Sequence, residues 1–235
     1  MSAPRPTRRA WLAALGPAAL ALLTPRIATA GVRVKGPDFD LVQNYSQTSG
    51  LADLSQTPEQ ARAHRLLQRA PARRGPLGVM LYLEALRVTN RDGEAFNAGW
   101  SDRANPLILT FFSATDTKPI YGDETAWCAA SLNWALQHCG YKGGTNNAAS
   151  SSFREAPGMT GWARPGDIVV FRDVAAGQED FGHVCLFLAQ TRERILVLGG
   201  NQTNARGHAA VCRKWLNVKD SVRELHSFHA IEAFR

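Results

Sequence analysis

Cys128 is the residue in this sequence that is best placed to act as a nucleophile. It lies in the first turn of a predicted helix, residues 125–136, directly after Trp127. Backbone N–H groups without partners at a helix start favour a thiolate over a thiol, and the thiolate is the reactive form. A cysteine with alanine and tryptophan neighbours is also typical of a small core residue. Its assignment as a nucleophile therefore depends on the second half of the chain.

His183 is the histidine that we expect to activate this thiol, because it directly follows Gly182 at the start of a predicted strand. A thiol hydrolase needs an imidazole within hydrogen-bond reach of the sulfur, to stabilise the thiolate and later to protonate the leaving amine. His138 is a poorer candidate, because it lies on the same helix as Cys128, about 15 Å away by the helical rise.

A third polar residue follows from the pairing expected between the His183 strand and the next strand. If the two form a hairpin in which Ala189 opposes Ile195, His183 faces Asn201 on the same side of the sheet. Asn201 would then fix the imidazole tautomer that leaves the other ring nitrogen for the sulfur. A slip of one residue would place Gln202 opposite His183 instead.

The residues just before the nucleophile are predicted to start its helix and to contact substrate. Asp123, Glu124 and Thr125 are suited to cap a helix start. Trp127 is predicted to line the cleft. Asp123 is predicted to serve secondarily as a substrate-binding residue that recognises an amine or amide of a peptide.

The first thirty residues have the composition of an export signal. Arginines precede an uncharged run rich in alanine and leucine, residues 10–23, and a small-x-small cleavage site ends at Ala30. The adjacent pair Arg8 and Arg9 is typical of a twin-arginine signal. An uncleaved membrane anchor is the alternative, but the apolar run is short. We therefore expect an exported protein of the periplasm or the extracellular space, with no stable membrane insertion once residues 1–30 are removed.

The net charge does not indicate nucleic-acid binding. The whole chain has 27 basic and 20 acidic residues. Residues 1–30 contain four arginines and no acidic residue, so their removal leaves 23 basic residues against 20 acidic. The basic character of the whole chain is therefore partly a property of the predicted signal, and nucleic-acid binding is not inferred from it.

Helices are expected first and strands second, which indicates an α+β fold. Residues 31–104 are predicted to form an N-terminal extension with helices, and residues 105–235 a catalytic domain. Helices are predicted from Thr57 to Ala70 and over residues 79–88, with a linker at residues 71–78 between them. Successive antiparallel strands are predicted after the polar loop that follows the Cys128 helix. The helices most simply pack on one core.

Four cysteines occur in the part of the chain that follows the signal, in a compartment where disulfides persist. Cys128 and Cys139 lie about 16 Å apart on one helix and cannot bridge. Cys185 and Cys212, expected on neighbouring strands, are the favoured pair, and reduced buried thiols are the alternative.

No metal ion or cofactor is expected from the sequence. His226 and His229 could share a metal only in a helix, because in a strand they face opposite sides. No Cys-x-x-Cys pair accompanies them, so a zinc site is not predicted.

Four segments of the sequence carry a resemblance to a known family. They are TAWCAA (residues 125–130), RPGDIVVF (164–171), GHV (182–184) and LGGNQ (198–202). In this order they resemble the CHAP-like branch of the NlpC-type bacterial cell-wall hydrolases. The resemblance covers residues 105–235 and leaves residues 31–104 outside its strongest part. Cys185 departs from the family pattern, in which a small or apolar residue other than cysteine is expected.

The resemblance implies a papain-like fold and cleavage of amide bonds in peptidoglycan peptides. By the same resemblance, Cys128 is the nucleophile, His183 the base and Asn201 the orienting residue. Two other interpretations stay open. One is a catalytically silent module that binds the cell envelope, and the other is a thiol protease or transferase that acts on a different substrate.

Overall fold

The computed structural model describes residues 57–142, 144–175, 177–178 and 180–235. The predicted export signal and residues 31–56 lie outside the described residues, so the predictions made for them stay predictions. In the described part, the helices are α1 (Pro58–Gln68), α2 (Gly75–Glu84), α3 (Pro106–Phe111) and α4 (Cys128–His138). The strands are β1 (Met159–Thr160), β2 (Ile168–Asp173), β3 (Gly182–Gln190), β4 (Arg194–Thr203), β5 (Ala209–Asn217) and β6 (Arg223–His229).

Helix α1 begins where the sequence predicts a helix start. The Thr57 hydroxyl accepts the N–H of Gln60 at 3.2 Å, and the Gln60 side chain accepts the N–H of Thr57 at 2.7 Å. This reciprocal pair satisfies two N–H groups that a helix start leaves unpaired, and Pro58 supplies the first helical residue. Leu66 and Leu67 point into the core.

Helix α2 corrects the prediction of a linker at residues 71–78, because it begins at Gly75 inside that segment. Pro76 is compatible with the first turn of a helix, where its missing N–H removes no hydrogen bond. The helix ends at Glu84, before the predicted end at Val88.

All four helices of the described region contribute to one hydrophobic core. Leu67 of α1, Leu83 of α2, Phe111 of α3 and Leu132 of α4 belong to the same buried cluster. Residues 57–104 therefore share their core with the Cys128 helix, as the sequence predicts for helices that pack on one core. No helix of the described region has the length and hydrophobicity that crossing a bilayer requires.

The six strands form an antiparallel sheet in the order β1-β6-β2-β3-β4-β5. Strands β2 to β5 are neighbours in chain order, as predicted. Strand β6 returns to pair with β2 on the side away from β3. The prediction of an α+β fold with an antiparallel sheet is confirmed.

The two faces of the sheet pack differently. Val184 and Leu186 of β3 point toward the helices and belong to the main core. Cys185 and Phe187 of the same strand lie in a second buried cluster on the opposite face, since successive side chains of a strand alternate. By this alternation His183 lies on the second face, at the end where β3 begins.

Gly200 allows helix α4 to approach β4 closely. A Cβ atom at this position would lie 2.3 Å from Ser131 Oγ and 2.5 Å from Trp127 Cζ3, both of which are buried. We expect Gly200→Ala to lower the free energy of unfolding by about 1–3 kcal/mol, because an added methyl group in a packed core forces its neighbours to move.

Urea unfolding of the Gly200→Ala variant checks this prediction against Gly161→Ala. A Cβ at Gly161 meets no atom within 4 Å, so this control should unfold at the same urea concentration as the parent or at a slightly higher one. Equal stability of the two variants would contradict the close approach of α4 to β4.

Candidate active site

Cys128 is the first residue of α4, but the capping residues predicted for this helix are wrong. Trp127 occupies the N-cap position without a side-chain hydrogen bond to the helix. Asp123 and Glu124 lie earlier, in a 3-10 turn at Gly122–Glu124. The start of α4 is instead stabilised by packing, since every residue from Trp127 to Leu136 is buried.

The Cys128 sulfur lies against the backbone N–H of Val184 in β3. The direction of this N–H follows from the alternation of backbone groups along the strand. Phe187 donates its N–H to Asp167 O at 2.7 Å, on the side of β2. Val184 is an odd number of residues away, so its N–H points to the side of β4.

The sheet is open at the point where the sulfur reaches it. The pairs between β3 and β4 run from the hairpin only as far as Leu186 and Leu198. Beyond them the Val184 N–H has no partner in β4 and meets the Cys128 sulfur instead. The sulfur therefore contacts the peptide group that joins His183 to Val184. The structure thus brings the predicted nucleophile and the predicted base to the same end of β3.

Burial determines the protonation state of the thiol in this structure. Cys128 is 4% exposed. Burial raises the pKa of the Cys128 thiol, and the N–H groups of Val184 and Ala129 and the charge of Arg223 lower it by less. The neutral thiol is therefore favoured, contrary to the expectation that the helix start would favour the thiolate.

His183 is also buried, with 5% of its surface exposed. Burial and then the charge of Arg223 lower its pKa to about 3. Lys214 lowers the pKa further, whereas Asp173 raises it. The imidazole is consequently neutral at pH 7, and its Nε2 atom has no hydrogen-bond partner.

Gln202, rather than Asn201, is the amide that interacts with His183. The Gln202 nitrogen donates to two carbonyl oxygens, Gly199 O at 3.2 Å and Cys212 O at 2.6 Å. These two bonds fix the amide nitrogen. The Gln202 side chain also raises the pKa of His183, which is the effect of an amide oxygen that faces the imidazole. The contact is loose, because neither Gln202 Oε1 nor His183 Nε2 completes a hydrogen bond.

One irregularity in β3 and one in β4 interrupt the regular pairing of the strands, and the one in β4 displaces the predicted partner of His183. Near the hairpin turn, Ala189 pairs with Leu196 and not with Ile195, and a bulge restores the predicted register at Leu186 and Leu198. A second shift, between Gly199 and Gln202, occurs where β4 pairs with β5. Asn201 lies inside it with a φ of 56°.

Trp127 does not line an open cleft in this structure. It is fully buried and stacks on Phe111, with ring centroids 5.9 Å apart. Its Nε1 atom is buried without a hydrogen-bond partner. Trp127 therefore packs α4 against the core, and its role in substrate binding stays a prediction that this position does not support.

Asp123 is a buried residue that binds two backbone N–H groups. It is 4% exposed, and its Oδ2 atom accepts the N–H of Trp100 at 2.9 Å and that of Asn105 at 3.0 Å. These bonds fix the segment that leads into α3. A substrate-binding role for Asp123 stays a prediction, and its buried carboxylate does not favour that role.

The four cysteines are free, and the favoured disulfide is wrong. Cys185 lies in β3 and Cys212 in β5, with Gly199 of β4 between them. Strands spaced about 4.8 Å apart put the two cysteines about 10 Å apart, beyond the reach of a disulfide. Among the described residues, no three or more histidine, cysteine or acidic side chains form a group that could hold a metal ion.

Arg223 is a residue near the site that the sequence patterns did not single out. It lies at the start of β6, and its charge lowers the pKa of both Cys128 and His183, after the effect of burial on each. Only the return of β6 to the edge of β2 brings it there, so no local sequence signal identifies it. Gln202 did have a signal, the glycine pair that precedes it and permits a bulge.

Comparison of this chain with protein-family models, with curated proteins and with solved structures finds no match.

Proposed function

We propose that this protein is an exported cysteine hydrolase of papain-like fold that cleaves amide bonds in peptidoglycan peptides. The observation that supports the proposal best is the contact of the Cys128 sulfur with the peptide group between His183 and Val184. A nucleophile at a helix start and an imidazole at a strand start are the two parts that thiol catalysis requires. The substrate class rests on the resemblance of the four sequence segments.

In the proposed reaction, His183 takes the proton of the Cys128 thiol as the sulfur attacks the amide carbonyl carbon. The backbone N–H of Cys128 stabilises the oxyanion that forms. His183 then gives the proton to the leaving amine, and the acyl group stays on the sulfur as a thioester. Water then transfers a proton to His183 as its oxygen attacks the thioester carbonyl. The C–S bond breaks, a carboxylic acid is released, and His183 returns the proton to the Cys128 sulfur. Gln202 orients the imidazole once its Oε1 atom completes the hydrogen bond that it lacks in this structure.

The burial of both groups favours a second candidate, a silent envelope-binding module. Cys128 and His183 are 4% and 5% exposed, and both are in their neutral forms at pH 7 in this state. Catalysis requires the substrate to reach the sulfur, and hence a displacement of the residues that cover it. A module that only binds needs no such opening.

Digestion of purified sacculi separates the two candidates. The hydrolase is expected to release soluble peptides and to create new amino groups, without new reducing sugar ends, because the bond cleaved is an amide. Mass spectrometry of the products identifies that bond. Binding to sacculi without release of peptides would support the silent module, and new reducing ends alone would contradict both candidates.

A further inference from the structure

The sheet face that carries His183 ends in a cluster of charged side chains. His183 pairs with Phe171 of β2, and Asp173 lies two residues further along on the same face. Asp173 pairs in turn with Arg223 of β6. His183 and the Asp173–Arg223 pair thus lie where β2 ends and β3 begins, close to the point where the Cys128 sulfur contacts β3.

The guanidinium of Arg223 has a fixed orientation. Its Nε donates to Asp173 Oδ1 at 2.6 Å and its Nη2 to Asp173 Oδ2 at 3.3 Å. The backbone N–H of Arg223 donates to Asp220 Oδ1 at 2.8 Å. Nη1 makes no hydrogen bond to any residue that the structure describes. The Arg223 side chain is 30% exposed, so this edge of the guanidinium is open to a ligand.

Apolar side chains border the Arg223–Asp173 pair on the surface. Phe181 is 58% exposed, Val222 57% and Val174 38%. Backbone hydrogen bonds hold all three beside the pair, from Val174 N to Val222 O at 2.8 Å and from Asp173 N to Phe181 O at 3.0 Å. A charged group held in an apolar rim is typical of a ligand site.

We propose that Arg223 binds a carboxylate of the substrate next to the amide bond that is cleaved, so that the enzyme selects acidic peptides. This inference rests on the proposed function, in which Cys128 and His183 form the active site. A guanidinium with a free edge forms paired hydrogen bonds with a planar carboxylate. Asp173 and Asp220 already balance part of the local positive charge. The subsite therefore suits a singly charged carboxylate better than a phosphate, and Phe181 and Val222 contact the methylene groups beside it.

Calorimetric binding measurements on the Cys128→Ala variant test this subsite without requiring catalysis. The ligands are a short synthetic stem-type peptide with free carboxylates and the same peptide with its carboxylates amidated. We expect the free acid to bind at least about tenfold more tightly, as is typical for hydrogen bonds to a charged group. Adding Arg223→Gln should abolish this preference and leave the affinity for the amidated peptide unchanged.

Two further variants separate recognition from structural damage. Arg172→Gln is the matched control, because Arg172 precedes Asp173 on the other face of β2 and pairs with Glu224. This variant should keep the preference. Asp173→Asn combined with Arg223→Gln leaves no partly buried carboxylate unpaired. This double variant should also lose the preference while keeping the fold.

Equal binding of the two peptides by the Cys128→Ala parent would overturn the inference, and so would a preference that survives Arg223→Gln. Binding of neither peptide would overturn it as well. Binding is measured without bond cleavage, so it is independent of the sacculus digestion. If the protein leaves sacculi intact but still binds the free acid more tightly, the proposed hydrolase is rejected and the carboxylate subsite is supported.

Discussion

The Cys128→Ala variant is expected to lose the release of soluble peptides from sacculi by at least about 10³-fold, the scale seen when a catalytic nucleophile is removed. Alanine cannot form the thioester on which the proposed reaction depends. The side chain shrinks by a single sulfur atom in a buried site, so the free energy of unfolding should fall by only about 1 kcal/mol. Peptide release and thermal unfolding, measured on the same preparation, check both parts.

Cys139→Ala is the matched control for this variant. Cys139 lies at the other end of α4, in the C-cap position, and is partly exposed. Its replacement should leave peptide release unchanged. If Cys128→Ala kept more than about a tenth of the parent activity, Cys128 would not be the nucleophile.

Acid should destabilise the protein through His183. The pKa of this residue is about 6.5 in an unfolded chain, but burial, followed by the charge of Arg223, lowers it to about 3 in the folded protein. Between these two values the unfolded state binds one more proton than the folded state. The free energy of unfolding is therefore highest above pH 6.5 and falls by up to about 1.4 kcal/mol per pH unit as the pH decreases toward 3.

Comparison with His183→Asn isolates this effect from that of other groups. His64 and His226 also have lowered pKa values, mainly because of burial. Their protonation lowers the free energy of unfolding over the same pH range in the parent and in the variant. Urea unfolding at pH 7, 6 and 5 should show that the parent loses stability more steeply than the variant. Parallel pH profiles would mean that His183 is open to water in solution.

Local patterns in the sequence were enough to predict the start of α1 and the succession of antiparallel strands. The Thr57 hydroxyl and Pro58 define the start of α1, and Asn105 caps α3 through Leu107 N at 2.9 Å. The buried strand from Ile168 follows a Pro-Gly turn. These features depend on neighbouring residues, whose effects sequence reasoning can evaluate directly.

The environment of the site could not be predicted in the same way. A helix start lowers the pKa of a cysteine, but the burial of Cys128 by the whole fold outweighs that local effect. The neighbourhood of Arg223 depends on which strand β6 pairs with. Likewise, Cys185 and Cys212 are separated because β4 runs between their strands. These results depend on tertiary packing that no short segment encodes.

The irregular backbone between Gly199 and Gln202 has a consequence for how this site could change. The alternation of side chains along β4, rather than the type of side chain, determines whether Asn201 or Gln202 faces His183. Deletion of one of the two glycines would remove the extra residue and restore regular alternation, with Gln202 still opposite Ala210 and on the face of His183. A comparison of related chains that counts residues from Gly199 would therefore misassign the amide that faces His183 wherever the length of this glycine segment differs.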